Sequence, residues 1–167
     1  MRQWIAREIA SKALVEDVVR SFGEVRLRIL GTSMVPAMLP GDLVSVRRAG
    51  LDEISEGEVV LFFQNGRLCV HRVVGRNVVS AAGNTKEPCL IARGDRLRHD
   101  DPPVSSKELL GRVVSIERDN HNIELAPHGS NSLLARLLRA SDRATYLYLR
   151  LSACWRTLLF WGAKCRV

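Results

Sequence analysis

Residues 59–74 read VVLFFQNGRLCVHRVV, the clearest strand-turn-strand pattern in the sequence. Two apolar runs flank Asn65-Gly66, a dipeptide that favours a two-residue type I′ turn because both of its residues tolerate a positive φ. The sequence therefore predicts a β-hairpin in which residues 59–64 pair with residues 67–72. The predicted cross-strand pairs are Gln64 with Arg67, Phe62 with Cys69, and Val60 with His71.

This register places His71 on an apolar face of the hairpin. Because strand side chains alternate with a period of two, His71 shares its side with Val60 and Phe62, whereas Arg72 points to the opposite face. Taken alone, a histidine in such surroundings is most often a hydrogen-bonded core residue. The hairpin therefore predicts where His71 lies and leaves its role open.

Short β-branched runs continue on both sides of the hairpin, separated by Gly, Pro, Asn and Asp. Such runs are typical of a curved, mostly antiparallel sheet or barrel. We therefore expect a mainly β domain over residues 25–126. The eight strand candidates are VRLRIL, DLVSVRR, EVVLFF, RLCVHRVVG, NVVSA, CLIAR, LLGRVVSIER and NIELA.

Helical periodicity predicts an amphipathic helix on each side of this domain. Residues 2–21, within an N-terminal segment 1–24, alternate apolar and charged positions at helical spacing and end near Gly23. Residues 127–167 predict one basic amphipathic helix, from about Ser130 to Phe160, with arginines opposite an apolar stripe. The stripe contains Leu133, Leu134, Leu137, Leu138, Leu147, Tyr148, Leu151, Trp155, Leu158 and Leu159, and the opposite face contains Arg136, Arg139, Arg143 and Arg150.

Length and charge limit the function classes. The chain has 167 residues, 46% hydrophobic and 26% charged, which suits one domain with a core and excludes wholesale disorder. The net charge of +7 is uneven, since residues 1–24 sum to 0, residues 25–126 to +1 and residues 127–167 to +6. Strong basicity is therefore a property of the C-terminal segment alone.

The cysteines and the termini indicate the cellular setting. Cys69, Cys89, Cys154 and Cys165 form no CxxC pair, so we expect no disulfide scaffold, no metal site and no cofactor. The N-terminus lacks the apolar region of a secretory signal, and no run of about 18 apolar residues predicts a transmembrane helix. We expect a cytoplasmic or peripherally membrane-associated protein.

A second informative stretch is GTSMVPAMLPGD, residues 31–42, which lies between two strand candidates. Gly31 and Pro36 restrict the backbone on either side of Ser33, so that its hydroxyl is held in one direction, as a nucleophile requires. In isolation, such a serine is most often an ordinary turn residue.

Three further blocks follow in order: GEVVLF at 57–62, HRVVG at 71–75 and RGDRLRHDD at 93–101. Together with the Ser-Met-x-Pro box, they resemble the signal peptidase I family, and more closely its Ser-His branch of endoplasmic reticulum, archaeal and some Gram-positive enzymes. The resemblance covers about residues 29–116. It implies a signal-peptidase-like (LexA-like) curved β fold and a serine endopeptidase that cleaves a polypeptide through an acyl-enzyme.

The resemblance also implies the role of each matching residue. Ser33 falls on the family nucleophile, His71 on the general base and Asp101 on the third member of the triad. The other matching positions are the supporting acids Asp95 and Asp100 and the oxyanion and substrate loop residues Gly31, Thr32, Met34 and Pro36.

Elementary chemistry agrees with these roles. A serine hydroxyl needs a neutral imidazole to accept its proton, and the pKa of free histidine is about 6.5. A carboxylate fixes the imidazole tautomer and stabilises the imidazolium. The backbone N–H of Ser33 is the expected oxyanion donor, with Thr32 Oγ1 or a neighbouring amide as the alternative.

Two features depart from the family, and both concern the substrate and the site of action. Residues 2–21 are too charged for the family's N-terminal membrane anchor, and Arg96 replaces the asparagine that commonly follows the second Gly-Asp. If specificity follows the resemblance, small side chains are preferred at the first and third positions before the scissile bond, on a substrate docked as an added strand.

Other interpretations remain open. A non-catalytic module on the same scaffold would dock to a membrane or a partner, and a self-cleaving repressor protease would need a lysine base and a DNA-binding domain, neither of which the sequence indicates. The C-terminal helix either lies on an anionic membrane surface or packs on the β domain or on a second copy. No nucleic-acid motif is present, so we expect no nucleic-acid partner.

Overall fold

The computed structural model describes residues 13–80, 86–125, 133–141 and 143–152. Helix α1 covers residues 13–22 and α3 covers residues 143–152. The other elements, in chain order, are β1 Glu24–Arg28, β2 Leu43–Arg47, a 3₁₀ turn Leu51–Glu53, β3 Val59–Gln64, β4 Arg67–Ser80, β5 Lys86–Arg93, β6 Leu109–Arg118, β7 His121–Ile123 and α2 Leu133–Ala140.

The described strands form one seven-stranded antiparallel sheet in the order β1-β2-β6-β3-β4-β5, with β7 paired to β6. The prediction of a mainly β, antiparallel domain is therefore confirmed. Of the two predicted forms, the described strands adopt an open sheet and not a closed barrel.

The hairpin prediction is confirmed in detail. Asn65 has φ 52° and Gly66 has φ 79°, as a type I′ turn requires. The three predicted pairs, Gln64 with Arg67, Phe62 with Cys69 and Val60 with His71, are all present. A local turn signal therefore fixed the register of the strand that carries His71.

The prediction of eight separate strands was wrong in one place. RLCVHRVVG and NVVSA form a single long strand, β4, because β5 pairs with it from Arg72 as far as Ser80. The register shifts between Val73 and Gly75, so this stretch accommodates a bulge and not a turn.

The first five residues of strand β3 are apolar because both of its faces are covered. Val59 and Leu61 pack into one buried cluster, which also contains Val15 and Val19 of α1. Val60, on the other face, belongs to a second cluster with Val73, Leu90 and Ala92. The site described below lies at the edge of this second face.

The N-terminal helix ends where the sequence predicts. Gly23 has φ 73°, and its N–H donates to Val19 O at 2.9 Å, a helix C-terminus that glycine favours. Residues 2–12 of the predicted helix lie outside the described residues.

The prediction of one continuous C-terminal helix was wrong within the part that is described. The chain leaves the helical conformation after Ala140, and the Ser141 hydroxyl accepts a hydrogen bond from the N–H of Ala144 at 3.3 Å, so Ser141 caps a new helix. The break also divides the predicted apolar stripe, since Leu138 is buried whereas Leu147 and Leu151 are exposed. Residues 153–160 of the prediction lie outside the described residues.

No helix in the described ranges has both the length and the apolar character needed to cross a bilayer.

Candidate active site

The loop between β1 and β2 carries Ser33. Hydrogen bonds within the loop run from Val35 N–H to Thr32 O at 3.3 Å and from Met38 N–H to Met34 O at 3.0 Å. Met34 and Met38 are buried, whereas Ser33 is half-buried. The loop is therefore anchored by its apolar side chains, and Pro36 follows a cis peptide bond.

Asp42, at the end of this loop, is held by hydrogen bonds to the loop backbone and to β6. Its carboxylate accepts the Leu39 N–H at 2.8 Å, and Arg118 donates Nε to Oδ1 at 2.8 Å and Nη2 to Oδ2 at 2.6 Å. The hydrogen bond with Asp42 raises the pKa of Arg118. The Gly-Asp of the loop that carries Ser33 thus has a structural partner, Arg118, that the sequence interpretation did not include.

His71 lies between the serine and a carboxylate. Its Nε2 is 2.9 Å from Ser33 Oγ, and its Nδ1 is 2.6 Å from Asp101 Oδ2. The ring is buried and meets Phe62 edge-on, with ring centroids 5.9 Å apart. In the neutral tautomer that suits this geometry, Nδ1–H donates to Asp101 and Nε2 accepts the Ser33 hydroxyl proton.

The segment after β5 supplies Asp101. The Asp101 N–H donates to Ala92 O at 2.8 Å, and Val104 and Leu90 exchange two hydrogen bonds of 2.8 and 2.9 Å. The carboxylate is therefore held on a backbone that is tied back to the sheet, so its position relative to His71 is determined by β4 and β5 together.

Asp95 does not reach Ser33 or His71. Its buried carboxylate instead forms a bidentate pair with Arg72, from Nε to Oδ1 and from Nη2 to Oδ2, both at 2.9 Å. Arg72 also donates to Gly57 O at 2.7 Å. Asp95 thus supports the site through the strand residue next to His71.

Asp100 lies outside the group of interacting side chains. Its carboxylate is half-exposed and pairs with Arg93 at 3.2 Å. Of the two adjacent acids, the structure brings Asp101 to the histidine and leaves Asp100 at the surface.

Gly94 and Arg96 hold the segment after β5 against the loop that carries Ser33. The Arg96 N–H donates to Ser33 O at 2.8 Å. A Cβ at Gly94 would lie 2.8 Å from Ser33 O and 3.0 Å from Ser33 Cβ. This close approach needs a glycine, and the Gly-Asp motif is the only sequence signal that pointed to it.

A cleft of about 440 Å³ opens beside Ser33 and His71. Gly31 and Met34 line it together with apolar residues of β1 and β4, among them Leu27 and Leu68. Thr32 and Pro36 belong to the same loop but not to the lining. Within the described ranges, Ser33 N–H and Thr32 Oγ1 make no hydrogen bond.

Two backbone edges that have no strand partner among the described residues border the cleft. Ile29 directs its N–H and C=O to residues 41–42, so by the alternation of an extended chain Leu30 directs its own groups to the other side. Strand β5 pairs with β4 only from Arg72 onward, so the backbone groups of Leu68 and Val70 also face away from a described partner. An extended peptide placed here would find hydrogen-bonding groups on both sides.

Cys69 lies in the cleft two residues before His71. Burial and then the charge of Asp101 raise the pKa of its thiol, while Arg67 partly opposes them. Cys69 and Cys89 are free thiols. Cys154 and Cys165 lie outside the described residues.

The sequence matches no protein-family model and no curated protein at a significant level. The family resemblance therefore depends on the four ordered sequence blocks.

Proposed function

We propose that this protein is a serine endopeptidase with a signal-peptidase-like fold, in which Ser33, His71 and Asp101 act together. The observation that carries the proposal is the pair of contacts made by one imidazole, 2.9 Å to Ser33 Oγ and 2.6 Å to Asp101 Oδ2. These residues are 38 and 30 positions from His71, so the contacts are long-range and arise from the fold as a whole.

The contacts support an acyl-transfer mechanism. Ser33 Oγ attacks the scissile carbonyl carbon while its proton moves to His71 Nε2, and Asp101 stabilises the imidazolium. The tetrahedral intermediate then breaks its C–N bond, and Nε2 protonates the leaving amine, which leaves an ester on Ser33. A water molecule activated by the same nitrogen hydrolyses this ester and restores the free hydroxyl.

The oxyanion requires hydrogen-bond donors beside Ser33. Its own N–H has no acceptor among the described residues and lies in a loop held by Arg96 and by buried methionines. A donor that is already in position costs little reorganisation when charge develops on the substrate oxygen. Thr32 Oγ1, also without an acceptor or donor in the described ranges, is the candidate for the second donor.

The cleft supports a polypeptide substrate bound as an added strand. The edges at Leu30 and at Leu68–Val70 offer backbone groups on both sides of the space beside Ser33. Main-chain pairing of this kind provides affinity, and pockets for alternate side chains provide specificity. Small residues at the first and third positions before the scissile bond remain the expectation from the family resemblance.

A serine-directed acylating probe tests the proposal. Wild-type protein should be labelled at Ser33 and should cleave a peptide with Ala-x-Ala before the scissile bond. Ser33→Ala and His71→Ala should each lose both activities while keeping the native circular dichroism spectrum. The exposed residues Ser106 and His121 supply matched controls, Ser106→Ala and His121→Ala, which should behave as wild type.

If the wild-type protein is neither labelled nor active on any peptide of a diverse library, the proposed activity is wrong. Labelling that persists in Ser33→Ala would place the reactive group elsewhere and would have the same consequence.

A docking role for the C-terminal segment is the second candidate, and the outward face of α3 favours it. Leu147 and Leu151 are 59% and 61% exposed, beside the exposed Arg143 and Arg150. Such a face suits the interface of a membrane with anionic headgroups. Co-sedimentation with phosphatidylserine vesicles should exceed that with phosphatidylcholine vesicles and should fall in Leu147→Asp. Equal co-sedimentation with both vesicle types would exclude the membrane partner.

A further inference from the structure

The first C-terminal helix packs directly behind the nucleophile loop. Leu138 of α2 is only 2% exposed and forms a buried cluster with Val35 and Leu39, two and six residues after Ser33. Tyr148 and Leu149 of α3 cover the same cluster. The C-terminal segment therefore contacts the loop that carries Ser33.

Arg139, the next residue of α2, reaches the segment after β5. Its Nε and Nη2 donate to the backbone carbonyl of Asp95 at 3.0 and 2.7 Å. In return, Arg98 donates to the carbonyls of Arg139 and Ala140 at 3.3 and 3.2 Å, at the end of the helix. Each of these two elements therefore provides an arginine that donates to backbone carbonyls of the other.

The carbonyl that Arg139 binds belongs to the same peptide unit as the N–H that binds Ser33. In a trans peptide the C=O of Asp95 and the N–H of Arg96 point in opposite directions. Arg139 holds the oxygen end, and the N–H end donates to Ser33 O at 2.8 Å. One rigid peptide plane therefore connects the C-terminal helix to the nucleophile.

Arg139 also acts on this peptide electrostatically. A guanidinium on the carbonyl oxygen polarises the peptide unit, which makes its N–H a stronger donor to Ser33 O. The side chain of Asp95 is fixed independently by Arg72 at 2.9 Å, so the sheet holds the carboxylate and the C-terminal helix holds the backbone.

We propose that Arg139 is a positioning residue, which fixes Ser33 through the Asp95–Arg96 peptide and makes the C-terminal segment part of the catalytic unit. This inference rests on the proposed peptidase function. It concerns the step in which Ser33 is acylated, because the contact holds the nucleophile and not the substrate cleft.

Kinetics of the full chain test the proposal. Arg139→Ala should lower kcat about 10- to 100-fold, the cost of a small misplacement of a reacting group, with KM changed less than about twofold. Arg139→Lys keeps one charged donor and should restore part of the loss. Arg20→Ala removes an exposed helical arginine on α1 and should match wild type. Hydrogen exchange at the Arg96 amide should become faster in Arg139→Ala and stay unchanged in Arg20→Ala.

The outcomes separate this proposal from the proposed function. If wild type is active and the kcat of Arg139→Ala equals that of Arg20→Ala, the positioning role is wrong and the peptidase stands. If wild type is inactive, the peptidase proposal fails, and Arg96 exchange still reports whether Arg139 holds the peptide. If Arg139→Ala does not fold, Arg139→Met decides, because methionine keeps an apolar stem but has no donor. Wild-type kcat in a folded methionine variant would overturn the proposal.

Discussion

Substituting Gly94 tests whether close contact between the segment after β5 and the nucleophile loop sets the position of Ser33. In Gly94→Ala the new Cβ would lie 2.8 Å from Ser33 O, 3.0 Å from Ser33 Cβ and 3.0 Å from Leu97 Cγ. Ordinary van der Waals contact begins at 3.4 Å, so the shortest contact needs relief of about 0.6 Å. Two of the three contacts are with Ser33, and one of these is with its backbone.

The size of this shift sets the expected effect. Ser33 Oγ lies 2.9 Å from His71 Nε2, and the distance between donor and acceptor in a hydrogen bond extends to about 3.2 Å. A displacement of the size required therefore exceeds the slack in this contact. We expect turnover in Gly94→Ala to fall about 10- to 100-fold, and the free energy of unfolding to fall by about 1–3 kcal/mol through overpacking.

The assay is the rate of peptide cleavage under conditions where circular dichroism shows both proteins folded, together with urea denaturation. Gly75→Ala is the matched control, since its Cβ would have no neighbour closer than Glu56 Oε1 at 4.0 Å. The control should keep wild-type turnover. Wild-type turnover in folded Gly94→Ala would refute the idea that this contact positions the nucleophile.

Two further substitutions test Asp101, which contacts His71, and the ion pair between Asp42 and Arg118. Asp101→Asn should lower kcat about 10⁴-fold, as the same change does in Ser-His-Asp proteases, because the amide no longer stabilises the charged ring of His71. A loss below tenfold in cleavage assays would argue against that role. Asp42→Ala should destabilise the fold by about 2–4 kcal/mol in urea denaturation, because its side chain is fully buried and Arg118 would lose its partner. The exposed Asp52 offers the control Asp52→Ala, and equal midpoints for the two variants would contradict the prediction.

The parts of the fold that depend on neighbours in sequence could be predicted. The turn at Asn65-Gly66 determines the hairpin register because a two-residue loop permits only one pairing of the strands that it joins. The end of α1 at Gly23 follows in the same way, since a positive φ of 73° is a local requirement. These features need no information about distant residues.

The site was harder to predict, because its parts come from distant segments. No periodicity links Ser33 to His71 or Asp101 to either, and only the order of the motif blocks suggested that they meet. Arg118 pairs with a residue 76 positions away and carries no motif. Its hydrogen bonds to Asp42 depend on the pairing of β6 with β2, which local sequence does not determine.

The break in the C-terminal helix shows a different limit. The periodicity of the leucines fits one helix, yet Ser141 provides a cap at which a second helix begins. Because the helix is interrupted at Ser141, Leu138 and Leu147 need not share a face. Tertiary contact with Val35 and Leu39 then buries the first of these leucines, whereas the second stays exposed.

The role of Arg139 could not be predicted from the charge pattern of the C-terminal segment. Its partner is a backbone carbonyl, which has no signature in the sequence, so the pattern grouped Arg139 with Arg143 and Arg150 on the face opposite the apolar stripe. Arg143 and Arg150, both on α3, are exposed. The proposed docking of the segment and the proposed positioning of Ser33 are therefore compatible, because the two roles use different arginines.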